Sequence, residues 1–173
     1  MSRFIATFFY VGLLRPAPGT WGSAATIPLA YLLHGLGSFP LLFVASLAVI
    51  PIGYWATAAA TRGKADHDPS EIVIDEVAGM LIALWPVSFG MWQLGQNVWH
   101  VPWQFAAISF VLFRLFDIWK PGPVGWADRR HDAWGVMLDD VIAGLIAALI
   151  FFVGMYFQGT ILDGLEAWRW FTR

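Results

Sequence analysis

Long apolar runs separated by short polar breaks dominate the chain. Five of these runs read as helices: from about Ser23 to His34, Phe39 to Ala60, Ile72 to about Phe89, Pro102 to Trp119, and Val136 to Phe157. A helix that crosses a bilayer needs about 20 residues at roughly 1.5 Å each. The second and fifth runs reach that length. The first, third and fourth are short, as tilted, re-entrant or bundle-buried helices are. A last stretch, "LDGLEAWRWFTR", has the make-up of a helix lying at the membrane interface. The breaks alternate in kind. "GLGSF" (35–39) and "GMWQLGQNVWHVP" (90–102) hold no charged side chain, whereas "TRGKADHDPSE" (61–71) and "KPGPVGWADRRHD" (120–132) hold much of the chain's charge. Loops on two sides of a membrane alternate in this way, with Lys and Arg gathering on the cytoplasmic side. Trp92, Trp99, Trp103, Trp119, Trp126 and Trp134 fall near the proposed helix ends, at the depth where an amphipathic ring suits the headgroup layer.

Composition sharpens this picture. Hydrophobic residues make up 58% of the 173 positions and charged residues 13%, with a mean hydropathy of +0.63; a typical soluble domain has about a quarter of its residues charged. No residue from Pro16 to Thr61 carries a full charge. The expected fold is therefore an all-α, integral-membrane helical bundle of about four to five membrane-embedded helices plus a C-terminal interfacial helix, with residues 1–173 as a single domain. A soluble bundle with a very hydrophobic core is the alternative. "MSRFIATFFYVGLL" has one positive charge ahead of an apolar stretch, as a leader would, but Arg15 and two prolines follow, and a retained N-terminus is expected. The net charge of −2 and the lack of a basic tract exclude nucleic acid as a partner. The absence of cysteine excludes disulfides, thiolate metal sites and a cysteine nucleophile.

Within this apolar chain the acids stand out. Asp75 and Glu76 sit early in the third run, Asp139 and Asp140 at the start of the fifth, and Asp117 at the end of the fourth. An unpaired carboxylate in low dielectric loses several kcal/mol or takes up a proton, so such groups mark function or meet a cation. Clustered carboxylates suit a hard divalent ion. Asp75, Glu76, Asp139 and Asp140 are read as the group that binds metal or substrate. Helix capping explains Ser70 more simply, and serves Asp68 and Glu71 equally well. Ala78-Gly79, Ala143-Gly144 and Ala147-Ala148 follow the two acid pairs, and small residues at four-residue spacing let helices approach closely. Asp117 and Lys120 stand three apart, ahead of the helix-stopping Pro121; they form an ion pair, or Lys120 joins Arg114, Arg129 and Arg130 in meeting a phosphate. A headgroup-binding basic patch without catalysis is the other reading of these cations. "PGTWGS" opens the first run with Thr20, Gly22 and Ser23, an anion-binding helix start in form, although Ser23 is more simply an N-cap. "DHDPS" (66–70) lacks the buried strand that an aspartate-nucleophile loop follows, and His34, His67, His100 and His131 have no metal-ligand spacing.

Three segments, "APGTWGSAATIPLAYLL", "DPSEIVIDEVAGM" and "FRLFDIWKPGPVGWADRRHDAWGVMLDDVIAG", together resemble the phosphatidylglycerophosphatase A family in order and spacing, over about residues 12 to 150. Two departures stand out: Asp132-Ala133-Trp134 where members usually carry a Gly-Gly step, and Tyr10 where many have glycine. The resemblance implies a bacterial inner-membrane, multi-pass enzyme. It would hydrolyse phosphatidylglycerol phosphate to phosphatidylglycerol and inorganic phosphate with Mg²⁺, its site on the cytoplasmic face. On this reading Asp75, Glu76, Asp117, Lys120, Asp139 and Asp140 are catalytic, with Asp75, Glu76, Asp139 and Asp140 on the metal. Thr20, Gly22, Ser23, Arg114, Lys120 and Arg129 bind phosphate. The nucleophile is an activated water or an aspartate, and a homo-oligomer is left open. Two readings from other classes remain, a small transporter and a non-catalytic binder of anionic lipid. The first predicts charge motifs on both faces, and the second has no use for two acid pairs.

Overall fold

The computed structural model describes residues 1–63, 69–96, 103–130 and 132–161, the last four by backbone alone. The described residues form helices joined by turns, with no strand among them. They form α1 (Ser2–Ala6), a 3-10 turn (Val11–Leu13), α2 (Pro18–Thr61), α3 (Ile74–Ala83), α4 (Trp85–Gln93), α5 (Trp103–Trp119), α6 (Pro123–Asp128) and α7 (Ala133–Ile161). The proposed interfacial helix at 162–173 lies outside the described residues, as do Asp68, His67, His100 and His131.

α2 is one run of 44 residues in name only. Gly37 (φ −156°, ψ 20°) and Ser38 (φ 55°, ψ −158°) leave helical geometry, so the uncharged "GLGSF" break separates two helical halves. Contacts give their directions. Gly19 and Gly22 lie against Glu76 and Val73, and His34, further on, meets Ser88. The second half starts with Phe39 beside Phe89 and Trp92 and returns to stack Tyr54 on Trp134. α2 is thus a hairpin, with both ends at the level where α3 and α7 begin.

The third run is also divided. The chain bends by 40° between α3 and α4, because Pro86 has no N–H to give the carbonyl of Ile82 and instead opens the new helix. α2 and α7 contain 18-residue stretches with mean hydropathies of 2.0 and 2.4 and are long and apolar enough to cross a membrane, and the bent α3–α4 pair makes a third if taken as one span. α5 is 17 residues long. The expectation of four to five membrane-embedded helices is not confirmed; two or three qualify.

α3 is the central element. All of its residues except Glu76 are buried, between α2, α5 and α7. Its crossing with α7 is made by glycine. A Cβ on Gly144 would overlap the backbone of Gly79, and one on Gly79 would sit 2.5 Å from both the Asp140 carbonyl oxygen and the Phe113 ring. Gly79 lies one helical turn after Asp75, and Gly144 one turn after Asp140. Residues four apart share a face, so the contact that seats the two glycines also turns the two carboxylates toward each other. The small residues after each acid pair do what their spacing implies.

Several local expectations are corrected. α2 begins at Pro18, five residues before Ser23, because proline is preset for a first helical position. Ser23 is therefore inside the helix and not its cap; its hydroxyl donates back to the Gly19 carbonyl at 2.8 Å. Ser70 is exposed in a turn and does not cap α3, which has no side-chain cap among the described residues. Glu71 pairs with Arg3 at 3.0 Å. The N-terminal stretch is a short helix and a tight turn that docks on the bundle, with Val73 N–H donating to the Ala6 carbonyl at 2.9 Å.

Candidate metal and phosphate site

The first turn of α3 carries Asp75 and Glu76, and the second turn of α7 carries Asp139 and Asp140. In each pair the first carboxylate accepts the N–H of the second residue, Glu76 N–H to Asp75 Oδ1 and Asp140 N–H to Asp139 Oδ1, both at 3.0 Å. This local bond fixes the first side chain of each pair against its own helix. Asp75, Glu76 and Asp140 each place a carboxylate oxygen within 4.8 Å of the others'. Asp117, from the last turn of α5, comes within hydrogen-bonding reach of Asp140. The nearby cation is Arg114, whose Nη1 lies 2.5 Å from Asp117 Oδ2. Among the described residues, four carboxylates gather around this one guanidinium. Glu76 Oε2 and Asp140 Oδ1 are buried with no hydrogen-bond partner.

This donor set fits a hard divalent cation. Oxygens bound to one octahedral Mg²⁺ at about 2.1 Å stand ~3 Å apart when adjacent and ~4.2 Å when opposite, so three oxygens already within 4.8 Å of one another share an ion once side-chain rotation draws them in. A buried carboxylate oxygen without a donor costs several kcal/mol, and a cation would remove that cost.

Asp139 does not join the three. Its Oδ2 accepts from Lys120 Nζ at 2.9 Å, and Lys120 also bonds Asp128. The expected Asp117–Lys120 pair is thus replaced by two others, Asp117 with Arg114 and Lys120 with Asp139 and Asp128. The cause is in the backbone. Lys120 leaves α5 in a left-handed conformation (φ 49°), and Pro121, Gly122 and Pro123 fold the chain back into α6, which brings Asp128 to the ammonium. Burial works against the Lys120 charge, but its hydrogen bonds to Asp128 and Asp139 outweigh it and hold the pKa above the ordinary lysine value. Arg129 is exposed at the C-terminal end of α6. Arg130 and Asp132 pair at 3.0 Å, and this hydrogen bond, with a second from the Gly135 N–H, holds the exposed Asp132 carboxyl below its usual range.

The helix start at "PGTWGS" meets the acids through a different residue from those expected. The Thr20 amide is used within the turn, donating to the Ala17 carbonyl at 3.1 Å. A Cβ on Gly22 would press on Val73. Gly19 is the residue at the cluster: a Cβ there would overlap Glu76 Oε1 and stand 3.2 Å from Arg114 Nη1. Gly19 and Asp128 were not legible as site residues, Gly19 because proline and glycine ahead of a helix look like punctuation, Asp128 because its partner is set by a turn.

The apolar helical bundle, with two or three helices long and apolar enough to cross a membrane, turns carboxylates, a guanidinium and an ammonium toward one end. Residues 4–155 match the phosphatidylglycerophosphatase A family, and the chain belongs to it. It is 36% identical over 163 residues to phosphatidylglycerophosphatase A of Escherichia coli, covering 93% of this chain and 88% of that one. It is 34% identical to phosphatidylglycerophosphatase A of Haemophilus influenzae, covering 90% of each. A Bacteroides thetaiotaomicron protein with the provisional name phosphatidylinositol-3-phosphatase is 32% identical over 90% of this chain and 94% of its own length. No solved structure matches significantly. The protein is a phosphatase of this family.

Proposed function

We propose that the chain is a Mg²⁺-dependent lipid phosphatase of phospholipid biosynthesis that hydrolyses phosphatidylglycerol phosphate to phosphatidylglycerol and inorganic phosphate, at the cytoplasmic face of a bacterial inner membrane. The observation that carries this reading is the convergence of Asp75, Glu76 and Asp140 with two orphaned oxygens beside Arg114.

Asp75, Glu76 and Asp140 would hold the ion, and Asp139 would support it from the Lys120 side. A bound Mg²⁺ would supply Lewis-acid polarisation of the phosphoryl group and make an attacking water more acidic. The remaining work falls to the chain. Arg114 and Lys120 neutralise charge that builds on the phosphoryl oxygens as the bond to glycerol breaks. Asp117, fixed by Arg114, takes the proton of the attacking water; a new P–O bond forms from that water, and the proton passes to the departing glycerol oxygen. The first turn of α2 (Thr20, Gly22 and Ser23 with Gly19) walls the site, and Arg129 at the rim meets the diester phosphate of the headgroup.

The test is phosphate release by the purified protein on phosphatidylglycerol phosphate, phosphatidic acid and phosphatidylinositol monophosphates, with and without EDTA. The reading expects turnover of phosphatidylglycerol phosphate that EDTA abolishes. Turnover of the other monoesters alone defeats the substrate assignment, and activity unaffected by EDTA defeats the metal. The Bacteroides relative's name supports a second reading, a phosphoinositide monoester as substrate, which the same panel separates.

A further inference from the structure

Residues 1–14 form a cap at the site end of the bundle, and one side of that cap has no partner among the described residues. Its inner side is well seated. Ala6 and Thr7 are fully buried, the Val73 N–H donates to the Ala6 carbonyl, Arg3 pairs with Glu71, and Gly12 lies against the Glu71 carbonyl so closely that a Cβ would overlap it. The outer side carries Phe9 (61% exposed), Tyr10 (53%), Leu13 and Leu14. No charged residue stands between Arg3 and Arg15.

This apolar face is built rather than frayed. Phe8, Phe9 and Tyr10 have φ of 44°, 57° and 70°, a left-handed run that side-chain-bearing residues rarely adopt. The turn is closed by Phe9 N–H to the Phe4 carbonyl at 2.9 Å, Gly12 N–H to the Thr7 carbonyl at 3.0 Å, and Tyr10 N–H to Thr7 Oγ1 at 3.2 Å. Phe4 packs edge-on against Phe9 and Tyr10, with ring centroids 4.9 and 5.3 Å apart. Strain of this kind persists where the surroundings hold it, and here its visible outcome is an aromatic knob held outward.

We infer that the turn at 8–14 is a wedge inserted into the lipid leaflet at the site end, at the boundary of headgroups and acyl chains. Three observations favour lipid as the occupant. The wedge is continuous with a lipid-facing surface, since the α2 hairpin starts four residues later at Pro18 and presents exposed Leu32 and Val44 further along. Arg3 and Arg15 bracket the apolar knob, which suits a layer of phosphate headgroups around a hydrocarbon boundary. Aromatic rings of mixed polarity are the side chains that this layer favours, and Trp21, exposed in the first turn of α2, adds another with its indole N–H bonded to the Pro16 carbonyl at 3.0 Å. The wedge would thin lipid packing beside the acid cluster, where a lipid substrate's headgroup has to leave its neighbours. The inference rests on the membrane reading, not on the reaction.

The chain has no cysteine, so single-cysteine variants can be spin-labelled without background. The experiment places nitroxides at Phe9→Cys, Leu13→Cys, Arg130→Cys and Val44→Cys in vesicles of phosphatidylcholine with phosphatidylglycerol. Depth is read from collision with oxygen against a water-soluble nickel chelate. Labels at 9 and 13 are expected about 5–10 Å into the interface, the label at 44 deeper, and the label at 130 in water. A nickel accessibility at 9 and 13 equal to that at 130 overturns the wedge. Low accessibility to both reagents with spin–spin broadening overturns it in favour of a second copy. Loss of oxygen contact at 44 as well means that the membrane reading itself has failed. Leu14→Cys gives the same measurement where Phe9→Cys does not fold.

Discussion

The two ends of this bundle treat buried polar groups in opposite ways. At the end where α2 turns, His34 Nδ1 and the Ser88 hydroxyl meet at 2.7 Å, and the Trp85 indole N–H donates to Ser46 Oγ at 2.9 Å, which in turn bonds the Phe43 carbonyl. The cavity that His34 and Ser88 border is about 10 Å³, at the threshold for one water molecule. Its one unpartnered polar atom among the described residues is the neutral Tyr31 hydroxyl. At the other end the unpartnered atoms include carboxylate oxygens, on Glu76 and Asp140. A neutral buried group without a partner costs about 1–3 kcal/mol, and a charged one several times that. Polar groups that hold a fold together find partners inside it, and those kept for an external partner do not. If that is the lesson, substitutions at the two ends should separate activity from stability.

The sharpest separation should come from the acids. Asp140→Asn or Asp75→Asn removes a negative charge from the carboxylate cluster. Mg²⁺-dependent phosphate release is expected to fall by about 10³-fold or more, as for loss of a group acting directly on the transition state, while the melting temperature in detergent holds or rises. Full activity in both variants would remove the site, and unfolding of both would make the acids structural.

Two glycines sharpen the contrast further. Gly144→Ala would press on the backbone of Gly79, which cannot step aside, so α3 and α7 part and stability falls together with activity. Gly19→Ala presses instead on the end of the Glu76 side chain, which can swing away. Stability should change little, or gain the few tenths of a kcal/mol that alanine brings to a helix. Activity should still drop about 10- to 100-fold, since a misplaced group costs that much, with Mg²⁺ affinity by calorimetry falling alongside. Unchanged Mg²⁺ affinity in Gly19→Ala would show that Glu76 is not part of the ion's shell.

Asp128→Asn tests the Lys120 bridge, whose loss should be milder because Asp139 still holds the ammonium. A fall in kcat of about tenfold is expected, one charge-assisted hydrogen bond being worth 1.5–3 kcal/mol before discounting for its exposure. Because the pKa of Lys120 is raised on folding, its contribution to stability is fully present below the ordinary lysine pKa of about 10.4 and is lost only as pH rises through the folded value. Lys120 therefore should put no falling limb into the activity profile between about pH 7 and pH 9.

Much of this arrangement was legible along the chain, for reasons that also explain what was not. Asp75, Glu76, Asp139 and Asp140 announced themselves because a charge in an apolar run has no local excuse. "GLGS" marked the α2 turn because glycine and a left-handed serine break a helix on their own. Gly79 and Gly144 were readable because their spacing repeats one turn beyond each acid pair. The division of labour within the acids was hidden, since Asp139 is drawn away by Lys120 only after a left-handed backbone and a Pro-Gly-Pro turn have carried Asp128 to it. Gly19 was hidden because its neighbours come from α3 and α5. The bend at Leu84 was masked by unbroken hydrophobicity on either side of Trp85-Pro86, and the N-terminal cap was masked because its docking partners lie far along the chain, Glu71 being 68 residues from Arg3.

The smallest effect should come from the far end, and it should be the reverse of the first. Ser88→Ala leaves His34 Nδ1 facing an apolar cavity too small to admit more than one water. The ring keeps its place because α2 and α4 pack around it, so the loss is that of one buried neutral hydrogen bond, about 1–3 kcal/mol. In a chain of this size that lowers the melting temperature by a few degrees. Phosphate release per folded molecule should not change, because α4 lies beyond the 40° bend and nothing at His34 carries charge toward the acids. A loss of activity at unchanged stability in Ser88→Ala would mean that the two ends are coupled through the α3–α4 bend, and that partnered and unpartnered polar groups do not divide the molecule into a scaffold and a site.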